Sequence, residues 1–357
     1  MLPPPEIRGV YRSDARARTA YAEGAGIYRI VPQAVCLPAD AADLSRVICW
    51  AADHGVFLIP RGAGSAMGGG NVGDGVIVDL TRMAPQRLEI DPADQRAFTG
   101  AAVTLGALNA AASQHGLRLP PDPSSGRWAT LGGMVATNAA GARSVRYGSV
   151  RPWVEGLTLI TSDGQALRLS RGCAPEPSGT PIARRFSELA PLLRAASPEI
   201  RTRFPRTRKN SSGYALDAYL ASGDLLDLAI GAEGTLGVVT DIEWRLDPIP
   251  PFRAAMRVSL RSLDVLGEVV QALTACRPSA IELLDRSFLD LITTDTDTGR
   301  GLRSHAFEAV LLVELEREDA GSLHDALETA TARIRPIAYA VDTAFSEAAA
   351  ENAVSTA

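Results

Sequence analysis

A glycine-dense stretch, residues 60–70 with the sequence PRGAGSAMGGG, most constrains how this chain can fold. It lies between two short apolar runs, Val56–Ile59 and Val76–Val78, which are typical of buried strands. Glycine tolerates positive φ and lets backbone N–H groups converge, so a loop of this kind at a strand end can hold a phosphate. By itself the stretch also fits an ordinary turn. The sequence therefore predicts a candidate diphosphate-binding loop.

The loop matches neither of the two common nucleotide-binding fingerprints. Gly62 and Gly64 resemble the start of G-x-G-x-x-G, but Met67 stands where the third glycine is needed, and no amphipathic helix follows directly. A Walker loop is excluded because Gly-Lys-Ser/Thr does not occur in the chain. Any diphosphate bound here must be held by a different architecture.

Composition and charge narrow the class of protein. The chain has 357 residues, of which 46% are hydrophobic and 22% charged, as expected for a globular protein of two or three domains. A net charge of −5 gives no electrostatic argument for nucleic acid or an anionic membrane as partner. The four cysteines form no C-x-x-C and no cysteine–histidine cluster, which argues against a zinc or iron–sulfur site within the chain and favours a reducing compartment. Without a signal peptide or an apolar run of transmembrane length, we expect a cytoplasmic protein with no transmembrane segment.

The first part of the chain alternates strand and helix patterns. Ala34–Leu37 is a predicted strand, and Asp40 is the predicted N-cap of a helix that ends at Gly55. Val56–Ile59 is the next strand, which places the glycine-dense loop at a strand's carboxyl end, where α/β sheets bind ligands. Two hairpins follow, with a helix capped by Thr104 between them.

The later part contains a domain boundary and a different pattern. Residues 171–205 are rich in Pro and Arg, which predicts a surface excursion. Prolines at 248–251 mark a boundary, beyond which the order strand, helix, strand, strand, helix predicts a small antiparallel sheet with helices on one face.

A second unusual run, Thr130–Ala142, is built from small residues with only Leu, Met and Val for bulk. Small side chains allow close approach to a large flat ligand, whereas a packed core favours Leu, Ile and Phe. A tightly packed Ala/Gly helix explains the same composition. This run alone does not decide between the two.

Four runs taken together resemble the FAD-binding module of the vanillyl-alcohol oxidase/p-cresol methylhydroxylase (PCMH) superfamily, in its glycolate oxidase/D-lactate dehydrogenase/D-2-hydroxyglutarate dehydrogenase branch. In the family's order they are Pro60–Gly70, Pro121–Ser125, Thr130–Gly148 and Gly231–Thr240. The resemblance covers about residues 32–249, with further similarity at Ile281–Asp285.

The resemblance implies an α+β fold in three parts. Residues 1–31 are an N-terminal arm, and residues 32–249 are a two-lobed PCMH-type FAD-binding domain. Residues 250–357 are the incomplete start of a substrate or cap domain, a partial α+β unit with a ferredoxin-like antiparallel sheet and helices.

The same resemblance implies which residues contact FAD. They lie in the four runs: Arg61, Gly62, Ala63, Gly64, Ser65, Pro121, Asp122, Gly132, Gly133, Thr137, Asn138, Gly141, Ala142, Glu233, Gly234, Val238 and Val239. Some superfamily members attach the flavin covalently to a histidine just after the second loop glycine. Ser65 occupies that position here, which implies non-covalent FAD.

The segment RKNSSGY, residues 208–214, resembles the place where this branch sets an Arg and a Ser/Thr against the substrate carboxylate. The substrate-binding residues implied are Arg208, Lys209, the only lysine in the chain, and Ser212. A guanidinium fork pairs with a carboxylate in a bidentate way. The alternative is an ordinary solvated loop.

The implied activity is oxidation of a D-2-hydroxy acid of the lactate, glycolate or 2-hydroxyglutarate type to the 2-oxo acid, with hydride transfer to flavin N5. Members of this branch carry a histidine-rich segment, which supplies a metal site and the base, beyond the point where this chain ends. No H-x-H or H-x-G-D-G-x-H occurs here, so the catalytic residues are unknown and no metal site is predicted. Either the chain is the leading portion of a longer dehydrogenase, with a fused iron–sulfur module as one candidate electron acceptor, or another chain completes it.

Three other hypotheses stay open at this point. The runner-up is a non-catalytic or truncated FAD-binding electron-transfer subunit of a larger complex. An enzyme similar to the ether-lipid synthases would share the flavin module without net oxidation. A purely structural protein is the weakest hypothesis, because it leaves the four ordered runs unexplained.

Overall fold

The computed structural model describes residues 3–173, 181–207, 209–292 and 307–344. The chain divides into two compact units, one of Met1–Ala140 with Ser149–Pro248 and one of Gly141–Gly148 with Ile249–Ala357. Each unit combines β-sheet with helices, which confirms the predicted α+β class. The predicted domain limits at residues 31 and 249 stay a prediction. No helix in the described ranges has the length and apolar character needed to cross a membrane.

A mixed four-stranded sheet carries the glycine-dense loop. Its strands are β1 (Val10–Arg12), β2 (Ala34–Leu37), β3 (Leu58–Arg61) and β4 (Val76–Asp79). The order is β1-β2-β4-β3, in which β4 pairs parallel with β2 and β3, while β1 pairs antiparallel with β2. Two helices belong to this region, α1 (Ala15–Ala20) and α2 (Ala41–His54). The strands β2 and β4 are buried, as their continuous apolar runs predict.

The helix signals of the sequence are confirmed around α2. The Asp40 side chain accepts from the N–H of Asp43, and Gly55 ends the helix with a φ of 64°. Strand β3, by contrast, begins and ends two residues later than predicted, because its register pairs it with the whole of β4. Pro60 is tolerated in β3 because this strand lies at the edge of the sheet. Arg61 is therefore the last strand residue, and the loop begins directly after it.

The buried carboxylate of Asp43 ties the N-terminal arm to α2. It accepts N–H hydrogen bonds from Gly9 at 2.8 Å, Ala39 at 3.1 Å and Arg8 at 3.2 Å. Burial acts to raise the pKa of Asp43, but these backbone hydrogen bonds and the Arg8 charge outweigh it and hold the pKa below its ordinary value. Asp43 thus stabilises the folded chain in its ionised form.

Asp43→Asn is expected to lower the free energy of unfolding at neutral pH by about 1–2 kcal/mol, since the amide keeps one acceptor but loses the charge. The difference from the wild type is complete above the ordinary carboxyl pKa of 3.8 and is lost as the pH falls through the lower pKa of the folded state. Urea unfolding across this pH range measures it. The control is Asp53→Asn, an exposed carboxylate on the same helix. Equal stabilities of the two variants would contradict the role given to Asp43.

An antiparallel five-stranded sheet forms the second layer of this unit. Its strands are β5 (Leu88–Asp91), β6 (Arg96–Gly100), β8 (Val154–Ile160), β9 (Ala166–Ser170) and β10 (Val238–Arg245), in the order β5-β6-β10-β8-β9. The two predicted hairpins, β5–β6 and β8–β9, are confirmed. A separate pair joins β7 (Leu117–Arg118) to β11 (Asp247–Pro248).

The remaining helices of the first unit are α3 (Leu105–Ser113), α4 (Leu131–Ala136), α6 (Pro181–Ala195), α7 (Ser197–Arg203), α8 (Leu216–Ser222) and α9 (Leu225–Ala229). Thr104 caps α3 as predicted, because its hydroxyl accepts from the N–H of Ala107. Helices α6 and α7 lie where the sequence prediction assigned no element. The sequence prediction described this region only as a surface excursion, because of its content of Pro and Arg, and it missed the two helices.

The second unit is a ferredoxin-like sheet with its helices. Its strands are β12 (Phe252–Leu260), β13 (Ala280–Asp285), β14 (Ala309–Arg317) and β15 (Ala340–Ala344), and its helices are α5 (Ser144–Tyr147), α10 (Leu266–Thr274), α11 (Arg286–Ile292) and α12 (Ala320–Ile334). The antiparallel order β13-β14-β12-β15 is the ferredoxin-like arrangement, as predicted. The sequence prediction missed β15, because this edge strand is partly exposed and has no clear apolar alternation.

Candidate cofactor site

A cavity of about 560 Å³ lies within the first unit. Its volume falls in the range of about 300–1,000 Å³ that is usual for small-molecule sites. The lining comes from distant parts of the chain: residues within 60–71, 101–102, 123–140 and 229–239, together with Leu80, Leu159 and Lys209. The glycine-dense loop and the small-residue run therefore face one space.

The loop after β3 presents bare backbone to this cavity. A Cβ added at Gly62 would lie 2.1 Å from Oγ1 of Thr130, so any side chain there would require Thr130 to move. Gly64 has a φ of 75°, and a Cβ on it would lie 2.6 Å from the Arg61 guanidinium. In the described part of the chain, the amides of Gly62, Ala63, Gly64 and Ser65 donate to no other residue. Unpaired amides on such a loop suit the oxygens of a diphosphate.

Helix α4 is held close to the link between β6 and α3. The N–H of Gly132 donates to the carbonyl of Ala101 at 2.9 Å, and that of Leu131 donates to Val103 at 2.8 Å. A Cβ at Gly132 would lie 2.6 Å from the Cβ of Ala101, so the approach requires glycine. The small residues therefore serve both explanations offered for this run, since they pack a helix closely and also leave room along the cavity.

The turn before β10 closes another wall. Gly231 and Glu233 donate their N–H groups to the carbonyls of Val135 and Ala136, both at 2.9 Å. Glu233 itself adopts a left-handed φ of 52°, which is unusual for a residue with a side chain. Such strain persists only where the surroundings enforce it, and it clusters at functional sites.

Behind that turn, Asn138 also has a left-handed φ, of 46°, and is buried. Its Oδ1 accepts the N–H of Arg151 at 3.2 Å. Asn138 therefore fixes the backbone that follows α4 instead of lining the cavity.

Among the residues that the structure describes, the charged ones in the cavity lining are Arg61, Glu233 and Lys209. Arg61 donates from Nη1 to the carbonyls of Tyr21 and Asn71, each at 3.3 Å, and lies under the loop. Lys209 is exposed and is the chain's only lysine. Two cations and unpaired amides around a concave apolar space fit a ligand that carries phosphate or carboxylate groups.

Most residues predicted to contact FAD come together around this cavity. The lining contains Arg61, Gly62, Ala63, Gly64, Ser65, Gly132, Gly133, Thr137, Glu233, Gly234, Val238 and Val239. It does not contain Pro121, Asp122 or Asn138, although Pro123, Ser124 and Ser125 are part of it. Gly141 and Ala142 belong to the second unit. The individual roles of all these residues, and the non-covalent attachment implied by Ser65, stay predictions.

The predicted substrate segment is placed only in part. Lys209 lines the cavity, whereas Ser212 is exposed outside the lining and donates its N–H to Oδ1 of Asn210 at 3.2 Å. Arg208 lies outside the described residues. No group of three or more His, Cys, Asp or Glu in the described ranges is placed to hold a metal ion, and the four cysteines are free thiols.

Sequence reasoning missed several lining residues, such as Ala101 and Ala102. Alanines between a strand and a helix carry no local signal of a site. Only the backbone hydrogen bonds between α4 and the link before α3 bring them to the cavity.

The comparisons with known proteins agree with this geometry. Residues 32–170 match the family described as FAD binding domain. This part of the chain is an FAD binding domain. The match contains three of the four runs that carry the predicted resemblance, and it makes FAD the cofactor of the domain. Together with the relatives described next, it confirms the resemblance to FAD-binding PCMH-type oxidoreductases.

Two curated relatives of the chain carry names of the predicted branch. D-2-hydroxyglutarate dehydrogenase of Pseudomonas putida is 32% identical over 305 residues, which are 81% of this chain and 30% of the relative. D-lactate dehydrogenase of Archaeoglobus fulgidus is 28% identical over 288 residues, 80% of this chain and 54% of the relative. The chain thus spans about a third to a half of the length of these relatives.

The solved structures include one of alkyldihydroxyacetonephosphate synthase, with a TM-score of 0.67 and 16% identity. The alignment covers 97% of this chain and 60% of that structure. At this identity the likeness shows a shared fold.

Proposed function

We propose that the chain is the FAD-binding part of an enzyme that oxidises a D-2-hydroxy acid, of the lactate, glycolate or 2-hydroxyglutarate type, to the 2-oxo acid. The relatives in two of these classes support the substrate class. The observation that carries the proposal is the position of Lys209. This cation, from the segment predicted to hold the substrate carboxylate, lines the same cavity as the diphosphate loop.

Within this proposal the chain's own residues bind the cofactor and orient the substrate. The loop amides from Gly62 to Ser65 hold the diphosphate, and the small residues around α4 leave space for the flat ring system. Bound FAD supplies an acceptor for the hydride of the substrate carbon. The Lys209 ammonium attracts the carboxylate of the acid and orients it, as a charge-assisted hydrogen bond allows. Arg208 and Ser212 stay proposed partners of that carboxylate.

The residue that takes the hydroxyl proton is not assigned to this chain. We propose that it belongs to the histidine-rich segment of the branch, supplied either by further sequence or by another chain. The electron acceptor is likewise open, with an iron–sulfur module or subunit as one candidate, and a cytoplasmic location stays a prediction.

Anaerobic titration of the FAD-loaded protein tests the proposal. Oxalate, an inert analogue of a 2-hydroxy acid, is expected to shift the flavin absorbance spectrum in a saturable way. In protein that also carries the histidine-rich segment, from further sequence or from the partner chain, D-lactate, glycolate or D-2-hydroxyglutarate is expected to bleach the flavin, while L-lactate serves as the stereochemical control and dithionite shows that the flavin is reducible. A flavin that dithionite reduces, but that oxalate does not perturb and no D-acid bleaches, would contradict the proposal in favour of a non-catalytic FAD-binding subunit.

A further inference from the structure

A segment that precedes the matched domain forms a small closed loop, residues 22–30, called here the strap. Glu23 and Arg29 close it through a β-bridge and an ion pair of 3.0 Å. The N–H of Ile30 donates to the carbonyl of Ala22 at 2.8 Å. The family match begins at residue 32, so the strap lies outside it.

The strap packs directly on the diphosphate loop. The N–H of Ala25 donates to the carbonyl of Gly64 at 3.0 Å. A Cβ added at Gly24 would lie 2.7 Å from Nδ2 of Asn71 and 2.9 Å from the Gly64 carbonyl oxygen. The two backbones therefore touch at the central glycine of the loop.

The far half of the strap contacts the far half of the loop. A Cβ at Gly26 would lie 2.3 Å from the carbonyl oxygen of Met67, and one at Gly69 would lie 2.8 Å from the ring of Tyr28. Neither Gly24 nor Gly26 has a left-handed φ, so glycine is required there by the close approach alone. The contacts thus extend along the loop from Gly64 to Gly69.

The Arg61 side chain contacts Tyr21, the residue that precedes the strap. Its guanidinium donates to the carbonyls of Tyr21 and Asn71 and lies 5.3 Å from the centre of the Tyr21 ring. The Tyr21 hydroxyl donates to Asp79 at the end of β4. The start of the strap and both ends of the diphosphate loop therefore share one set of hydrogen bonds.

We infer that the strap holds the diphosphate loop in its binding conformation before FAD arrives, with Gly24, Gly26 and Tyr28 as positioning residues. A loop this rich in glycine loses much conformational entropy when it is ordered. Contacts that order it in advance remove that cost from the binding step and so raise affinity. The inference concerns cofactor binding and does not depend on which acid is oxidised.

The test compares Gly26→Ala with Ile27→Ser, a control on the same strap whose side chain is 94% exposed. In protein stripped of flavin, Gly26→Ala is expected to speed hydrogen exchange of the Ala25 amide, which donates to the Gly64 carbonyl, without changing exchange in β4. Its dissociation constant for FAD, from quenching of flavin fluorescence, is expected to rise about tenfold or more. Ile27→Ser is expected to match the wild type in both measurements.

Tyr28→Ala gives a second variant that removes a contact without adding atoms, and the same two changes are expected. Wild-type affinity for FAD in both Gly26→Ala and Tyr28→Ala would overturn the inference. Faster exchange throughout β4 in both variants would also overturn it, because the strap would then support the whole sheet and not the loop.

Discussion

Gly64→Val is expected to weaken FAD binding about a hundredfold, so that the purified protein loses its yellow colour on gel filtration. Gly64 has a φ of 75°, and its Cβ position lies 2.6 Å from the Arg61 guanidinium. A β-branched residue in that conformation costs about 1–3 kcal/mol in strain. Arg61 must also move, which disturbs the loop whose free amides face the cofactor. Isothermal titration of the stripped protein with FAD measures the loss.

The matched control is Gly55→Val. Gly55 ends α2 with a similar φ of 64°, and a Cβ there meets nothing within 4 Å. This variant carries comparable backbone strain away from the cavity, so it is expected to lower the melting temperature while keeping wild-type affinity for FAD. If Gly64→Val also keeps its flavin, the loop does not hold the diphosphate. Loss of flavin in both variants would mean that the effect is one of general stability.

Lys209→Met is expected to weaken the binding of oxalate about tenfold to a hundredfold, because a charge-assisted hydrogen bond is worth roughly 1.5–3 kcal/mol. Methionine keeps a similar length and loses the ammonium. The shift of the flavin spectrum during the oxalate titration gives the affinity directly. The flavin content is expected to stay at the wild-type level, because the diphosphate loop is unchanged.

Lys209→Arg is the companion variant, which keeps the positive charge and is expected to retain most of the affinity for oxalate. If wild type, Lys209→Met and Lys209→Arg bind oxalate with the same affinity, Lys209 takes no part in binding the acid. Loss of FAD from Lys209→Met would place this residue in the cofactor site and contradict the role proposed for it.

Local signals in the sequence predicted the elements that depend on neighbours in the chain. Asp40 and Thr104 cap their helices, and Gly55 ends α2 in the left-handed conformation, because these effects involve groups only a few residues apart. The two hairpins of the five-stranded sheet were predicted for the same reason. Helices α6 and α7 and the edge strand β15 were missed, since proline content and partial exposure hide their periodicity.

The sequence predicted which runs contribute to the candidate site, but it did not predict how distant segments come together around one cavity. Gly62 to Ser65, Gly132 and Glu233 were predicted because each lies in one of the four runs that resemble the FAD-binding module. Ala101 and Ala102 were not, because nothing near them in the sequence marks a ligand. Their place in the lining follows from hydrogen bonds between segments about thirty residues apart.

The sequence by itself determined the fold class and the FAD-binding family, through four runs that resemble the family, and also the helix caps and hairpins, because those depend only on each residue and its near neighbours. Only the tertiary structure decided which runs share a cavity, that Pro121 and Asp122 lie outside its lining, and that Lys209 lies within it. It also decided that residues 22–30 pack on the diphosphate loop, since close backbone approach depends on how distant segments meet and leaves no periodic pattern in the sequence.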